Sequence, residues 1–231
     1  MHQKESKSNK LFFYIFLLIL FTTINNKVVK EKKNSFLKVD EIKVIGLSNE
    51  QNSKLSNEFK KLSFQNILLI SKNSFKNVLN NNNLVQSFSV KKNYPNSIQI
   101  NIKKADLLAV TNFNNKKYFI GSNGKLIKYD NLKENEKKLP FVFGKINYFN
   151  FVTFKNKVDN SEFNYNNIVS IYYFPNNRWD LKTNDNVLIK LPEKNYLSAL
   201  NFANKIINNK NFENTSIIDL RISNQLIISN E

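Results

Sequence analysis

Hydrophobic residues in this chain fall into one continuous block followed by short periodic stretches. Leu11 to Ile24 is a run of fourteen uncharged, mostly apolar residues, with Lys10 before it and Lys27 after it. At about 1.5 Å per residue the run makes ~21 Å of helix, short of the roughly 30 Å hydrocarbon core, so its length alone also suits a signal-peptide core. The segment Thr22-Thr23-Ile24-Asn25-Asn26-Lys27 offers no small-x-small pair to a signal peptidase. We therefore expect an uncleaved transmembrane signal anchor over 11–26, a cytoplasmic stub over 1–10 and a basic juxtamembrane linker over 27–36. Lysines flank both ends, so charge does not choose the orientation. A short stub before a single span usually stays in the cytoplasm while a long remainder crosses.

Beyond the linker the periodicity shortens. Val39, Ile42 and Val44-Ile45 predict a strand ending at Gly46, where a residue able to adopt φ > 0 is expected. Ser48 and Gln51 have capping-box spacing, and Leu55, Phe59 and Leu62 continue at helical intervals. Phe75, Val78 and Leu79 predict a second short helix. Val85 to Lys92 and Ser97 to Lys103 alternate as two strands, with Ile98, Ile100 and Ile102 on one face and Pro95 presetting the turn between them. The predicted order over 37–105 is strand, helix, helix, strand, strand.

Residues 106–231 predict a mainly antiparallel β domain with one or two helices. Tyr118 to Ile120 and Leu126-Ile127 flank Gly121-Ser122-Asn123-Gly124, whose Asn123-Gly124 pair signals a hairpin. Tyr148 to Lys157 suits an amphipathic helix packed through Phe151 and Phe154. Ile168 to Phe174, Trp179 to Lys182 and Val187 to Leu191 read as antiparallel strands. A helix starting near Pro192-Glu193 would carry Tyr196, Leu200, Ala203 and Ile207 on one stripe. Ile217 to Ile222 and Leu226 to Ser229 predict a closing strand pair.

Composition removes whole classes of chemistry. There is no cysteine, which excludes disulfides and thiolate metal sites, and the one histidine is His2, in the stub. Ser-His-Asp and Cys-His catalysis are thereby excluded from the folded part. The formal charge is +17, but 33 of the 35 cations are lysine, in a chain rich in Asn, Ile and Phe. That pattern suits a biased composition with a solvated surface better than a phosphate-binding face, since no arginine cluster or aromatic-basic ribbon is present. The basic stretch from Lys27 to Lys33 would still be drawn to an anionic membrane surface.

Candidate sites are sparse. Gly121-x-x-Gly124 lacks the Lys-Ser/Thr and the helix of a phosphate loop, and reads as a turn. Asp40-Glu41, Asp180, Asp185 and Asp219 lie on separate strands and turns, which points to turn and surface roles rather than paired acid-base work. Trp179 alternates with Leu181 and is expected in the core. Arg178 and Arg221 are the only arginines, so each marks a position that needs a planar fork, within the fold or at an interface.

Val44-Ile45-Gly46-Leu47 and Val90-Lys91-Lys92-Asn93-Tyr94-Pro95-Asn96-Ser97-Ile98-Gln99-Ile100, set behind an anchor, resemble the POTRA domain of the FtsQ/DivIB bacterial cell-division proteins. The order of Ala109, Gly121-Ser122-Asn123-Gly124, Leu139-Pro140-Phe141-Val142-Phe143-Gly144, Arg178-Trp179-Asp180-Leu181, Val187-Leu188-Ile189-Lys190-Leu191-Pro192 and Ile217-Ile218-Asp219-Leu220-Arg221 resembles that family's C-terminal β domain. Ile102-Lys103-Lys104-Ala105-Asp106-Leu107 departs from the family's usual Glu-Arg-x-Pro stretch between the domains. Gly121 stands where an aspartate is common. The resemblance implies an α+β chain with one transmembrane helix, a POTRA domain over 37–105 and a β domain over 106–231. It implies a non-catalytic, single-pass (type II) inner-membrane scaffold of the division septum, with most of its length periplasmic and with no cofactor or metal. The implied partners are FtsB-like and FtsL-like proteins of the divisome, through which it helps control septal peptidoglycan synthesis. The implied contact is β-strand augmentation, with Arg178, Ile222, Asn224, Leu226, Ile227 and Ile228 as partner-binding residues. Gly46, Pro95 and Gly124 are expected to be structural. Two other readings remain open here: a membrane-anchored cell-wall enzyme, which needs a nucleophile or paired acids, and an envelope assembly factor, which needs tandem modules or a barrel.

Overall fold

The computed structural model describes residues 7–23, 37–129, 139–212, 214–222 and 225–230. Helix α1, Lys7–Thr23, has 17 residues and begins with two lysines in its first turn. Among the described residues no helix is long and apolar enough to cross a membrane. Residues 11–23 of the expected span are helical, and 24–26 lie outside the described residues.

Contacts divide the chain into two compact units, one of 1–45, 49–74 and 90–100 and one of 46–48, 75–89 and 101–231. The first contains β1 (Glu41–Ile45) and α2 (Asn49–Glu58), which runs into a 3-10 turn, Phe59–Leu62. β1 alternates strictly, burying Ile42 and Val44 and exposing Glu41 and Lys43. Leu55, Phe59 and Leu62 are buried from the helical side, and Ile67, Ile70, Ile98 and Ile100 complete this unit's interior. The Ser56 hydroxyl donates to the Ile42 carbonyl at 2.6 Å and ties α2 to β1.

Helix α3 (Asn73–Asn81) buries Phe75 and Leu79. Strands β2 (Val85–Asn93) and β3 (Ser97–Lys104) complete a three-stranded sheet of order β1-β3-β2. The predicted strand-helix-helix-strand-strand order is thus the observed one. The Tyr94-Pro95 peptide at the hairpin tip is cis. Gly46 closes β1 at φ +114, and a Cβ there would overlap the Ile102 carbonyl, lying 2.8 Å from its carbon.

In the second unit, β4 (Leu107–Phe113), β5 (Lys116–Gly121) and β6 (Leu126–Lys128) form an antiparallel meander. β4 was not expected from the sequence. Its apolar run, Leu107 to Val110, begins just past the expected domain boundary, and its turn is Asn114-Asn115 at φ 49 and 58, the geometry of a type I′ hairpin without glycine. The β5–β6 turn holds Gly124 at φ +71, where a Cβ would lie 2.6 Å from the Phe149 ring. That turn is stitched to the segment after α3. Asn123 donates to the Asn83 and Val85 carbonyls at 2.9 and 3.0 Å, and Asn83 donates to the Leu126 carbonyl at 2.7 Å. Leu84, Ala105 and Ile127 form a small apolar cluster beneath these bonds.

The remaining elements are β7 (Phe141–Phe143), α4 (Tyr148–Asp159), β8 (Ile168–Tyr173), β9 (Trp179–Thr183), β10 (Leu188–Lys190), α5 (Tyr196–Ile207), β11 (Ile217–Asp219) and β12 (Ile227–Ser229). With β4 to β6 they build one nine-stranded sheet of order β12-β11-β10-β9-β8-β7-β4-β5-β6. Antiparallel pairing dominates, yet β4–β7, β7–β8 and β10–β11 are parallel. The β10–β11 crossover is made by α5, as a parallel connection requires. α5 begins at Tyr196, not near Pro192-Glu193, because Asn195 sits in the left-handed region at φ 58 and the chain before it is not helical. Its buried stripe is Leu200, Ala203 and Ile206, with Ile207 only half-buried.

Candidate partner-binding edge

The register across six strands sorts residues into rows. Val142, Ile171, Leu181, Ile189, Ile218 and Ile228 pair in succession from β7 to β12 and form one apolar row. This row faces the core, where Phe151, Phe154 and Val158 of α4 and Leu200, Ala203 and Ile206 of α5 are buried. Trp179 anchors the same face, stacked on Phe154 at 4.3 Å between centroids and tilted against Tyr173 at 4.7 Å.

The adjacent row points to the opposite face, as side-chain alternation requires. It reads Phe143, Tyr172, Asp180, Lys190, Asp219 and Ile227. Phe143 and Tyr172 stack at 5.1 Å. The middle of the row alternates in charge, and both arginines of the chain close onto it. Arg178 donates through Nε to Asp180 at 3.1 Å, and its guanidinium lies 4.1 Å from the Phe174 ring centroid. Arg221 donates through Nε to both Asp219 oxygens at 2.9 Å and through Nη2 to one at 2.6 Å.

These pairs correct the reading of Asp180 and Asp219 as surface residues, since both are buried, at 4 % and 8 % exposure. Each aspartate stands two positions from its arginine, so strand periodicity puts the partners on one face. The Arg-x-Asp and Asp-x-Arg spacings were the signal available in the sequence. Lys190, placed between the two aspartates, carried no such signal, because only the register brings it there.

The two carboxyls are shifted in opposite directions. Burial raises the Asp180 pKa above the ordinary carboxylate value, against the lowering effect of Arg178. The Arg221 hydrogen bonds lower that of Asp219. A lowered carboxyl contributes stability above its unfolded pKa of about 3.9 and loses it as pH falls through the depressed folded value. Asp219→Asn is therefore expected to destabilise the protein at neutral pH, with the difference from wild type shrinking below about pH 4. Urea titrations of both proteins from pH 7 to pH 2.5 check this. A difference that stays constant with pH would show that the Asp219 charge has no such part.

The predicted partner-binding residues fall in three places. Ile227 and Ile228 lie on β12, which ends the strand order; Ile228 is half-buried on the core row and Ile227 is 51 % exposed on the other face. Leu226 precedes the strand, and Ile222 is exposed in the connection from β11. Asn224 lies outside the described residues. Arg178 is not brought to this edge. It precedes β9, three strand spacings from β12, or about 14 Å across the sheet. The edge itself is unusual for so charged a chain. Residues 225–230, Gln-Leu-Ile-Ile-Ser-Asn, hold no charge and no proline, the groups that normally blunt an exposed strand. At the other end of the sheet β6 carries Lys128.

Two stretches of the chain match known protein families. Residues 37–104 match the FtsQ-type POTRA domain, and residues 109–221 match the C-terminal region of the cell-division proteins FtsQ/DivIB. A cell-division protein FtsQ from Rickettsia conorii is 26 % identical over 171 residues, covering 70 % of this chain. The matched region spans 61 % of that relative's length. The solved major extracytoplasmic domain of the trans isomer of DivIB from Geobacillus stearothermophilus aligns at 15 % identity and a TM-score of 0.35, over 46 % of this chain and 92 % of that one. The two domain matches follow one another in order and together take in more than three quarters of the 231 residues. The chain belongs to the FtsQ/DivIB family of bacterial cell-division proteins.

Proposed function

We propose that this cell-division protein is a non-catalytic scaffold of the divisome. It is anchored in the inner membrane through the apolar N-terminal run and holds its POTRA and β domains in the periplasm at the septum. An FtsB-like protein, acting with an FtsL-like one, adds a strand beside β12 and so couples this chain to control of septal peptidoglycan synthesis. The observation that carries the reading is the uncharged β12 at the end of the strand order. An edge strand offers backbone donors and acceptors to an incoming chain, and side chains outside the pairing tune specificity. Asp180 and Asp219, the buried acids of this sheet, are tied to guanidinium groups, which suits structural charges rather than acid-base catalysis.

The register supports a narrower reading of which side chains could take part. A strand paired to β12 lies about 19 Å from β9, so only a segment of the partner that continues across the open face reaches Arg178. Arg221, on the neighbouring strand's exit, lies closer to the edge. Single alanines at Leu226, Ile227 or Ile228 are expected to weaken capture modestly, because backbone pairing tolerates side-chain change. Ile227→Pro removes a donor and is expected to abolish capture if that N–H faces outward. Arg178→Glu also sets a second acid beside Asp180, so its effect on binding must be separated from its effect on folding. The test is a pull-down of the FtsB-like partner's periplasmic segment, with circular dichroism on each variant. Full capture by a well-folded variant lacking 222–231 overturns the proposal and moves the interface elsewhere.

A further inference from the structure

Exposed apolar side chains gather where the chain leaves the linker. Phe64, Leu68, Leu69 and Tyr94 are 75, 55, 83 and 60 % exposed. Phe64 also holds φ 69, a region that bulky residues rarely occupy. A strained backbone that turns a ring out to solvent points to a use for the ring.

Hydrogen bonds fix the loop carrying three of these residues to the start of the folded chain. The Ile67 amide donates to the Leu37 carbonyl at 2.8 Å, Val39 donates to Gln65 at 3.0 Å, and Phe64 donates to Val39 at 2.8 Å. Lys38 bridges Asn66. The Tyr94 hairpin is tied to the same place, since Asp40 donates to the Asn96 carbonyl at 2.9 Å and Asn96 donates to the Asp40 carboxylate at 2.7 Å. Lys92 reaches the Leu68 carbonyl at 3.3 Å. Residues 24–36 connect this point to α1, a reach of at most about 50 Å. Lys38, Lys60, Lys61, Lys72 and Lys91 are exposed on these and flanking segments, against Asp40 and Glu41.

We infer that the Phe64–Leu69 loop and the Tyr94 hairpin tip form a second membrane contact, which seats this unit on an anionic bilayer surface. Apolar and aromatic tips enter the headgroup boundary while lysines meet anionic headgroups, the combination by which peripheral segments hold an interface. The sequence that joins this loop's attachment point to α1 adds Lys27, Lys30, Lys32 and Lys33, which anionic headgroups attract. This inference rests on the anchor reading above, because only an anchored chain presents this end to the bilayer.

The absence of cysteine makes a single introduced thiol a unique label site. Full-length protein carrying Gln65→Cys labelled with NBD is reconstituted into phosphatidylcholine vesicles with and without phosphatidylglycerol, and quenched by shallow doxyl-labelled lipids or by aqueous iodide. Lipid quenching at least twofold stronger in phosphatidylglycerol vesicles, with iodide protection, is expected. Adding Phe64→Ser, Leu68→Ser and Leu69→Ser together should abolish both effects. Should that combination fail to fold by circular dichroism, Leu69→Ser alone is used and should at least halve the lipid quenching. A parallel Leu18→Cys label in α1 reports the anchor. If Leu18 is quenched by lipid and residue 65 is not, or if residue 65 is protected only after a soluble partner protein is added, the inference is overturned while the anchor stands. If Leu18 is unquenched, the anchor reading fails, and this inference with it.

Discussion

Gly46→Ala is expected to cost nearly as much stability as Gly46→Val, about 2–5 kcal/mol, because the penalty begins at the first side-chain carbon. The backbone at φ +114 is strained for any L side chain, which alone costs about 1–3 kcal/mol. Forcing a Cβ against the Ile102 carbonyl adds a second cost of similar size, since β3 must move to relieve it. The sequence supports only the first of these contributions, from a glycine closing a strand. Thermal melts by circular dichroism test this: if Gly46→Ala melts like wild type, neither contribution is present, and if only valine is tolerated poorly, crowding beyond the Cβ is responsible.

Trp179→Ala is expected to cost about 3–5 kcal/mol and to loosen the whole nine-stranded sheet. Trp179 is 3 % exposed and touches Phe151, Phe154 and Tyr173, so truncation leaves a large cavity where α4 meets β9. Its carbonyl also accepts from Leu191 at 3.1 Å, which joins the end of β10 to β9. Trp179→Phe keeps most of the ring contacts and should lose less than half as much. Trp179 is the chain's single tryptophan, so urea unfolding of the wild type can be followed by its emission, whereas the variants need circular dichroism. Near-native stability of Trp179→Ala would mean that the aromatic cluster does not hold α4 on the sheet. Partner capture by this variant should fall only with its folded fraction, unlike that of Ile227→Pro, which changes the edge strand itself.

The strand-helix-helix-strand-strand order, the two hairpin signals and the central tryptophan were all legible in the sequence, because each depends on periods of two or 3.6 and on local turn chemistry. β4 was missed since an Asn-Asn turn at positive φ is a weaker signal than Asn-Gly, and its apolar run begins just past an expected boundary. The start of α5 was misplaced because proline and glutamate imitate a helix N-terminus, whereas Asn195 in the left-handed region delays it. The uncharged closing segment was also visible, and so was the pairing potential of each arginine with an acid two residues away.

What local sequence could not determine is which strands become neighbours. Placing β12 at an edge, inserting β7 between β4 and β8, and setting Lys190 between Asp180 and Asp219 are choices among long-range pairings. Such pairings depend on the total burial and hydrogen bonding of the sheet, to which no single segment contributes enough to be read alone. The same holds for the loop at Phe64, whose exposure follows from backbone bonds to Val39 and Leu37 some twenty-five to thirty residues earlier. Local pattern thus determined the elements and the family resemblance of this protein, while the register of distant strands decided which residues lie at the end of the sheet and which hold it together.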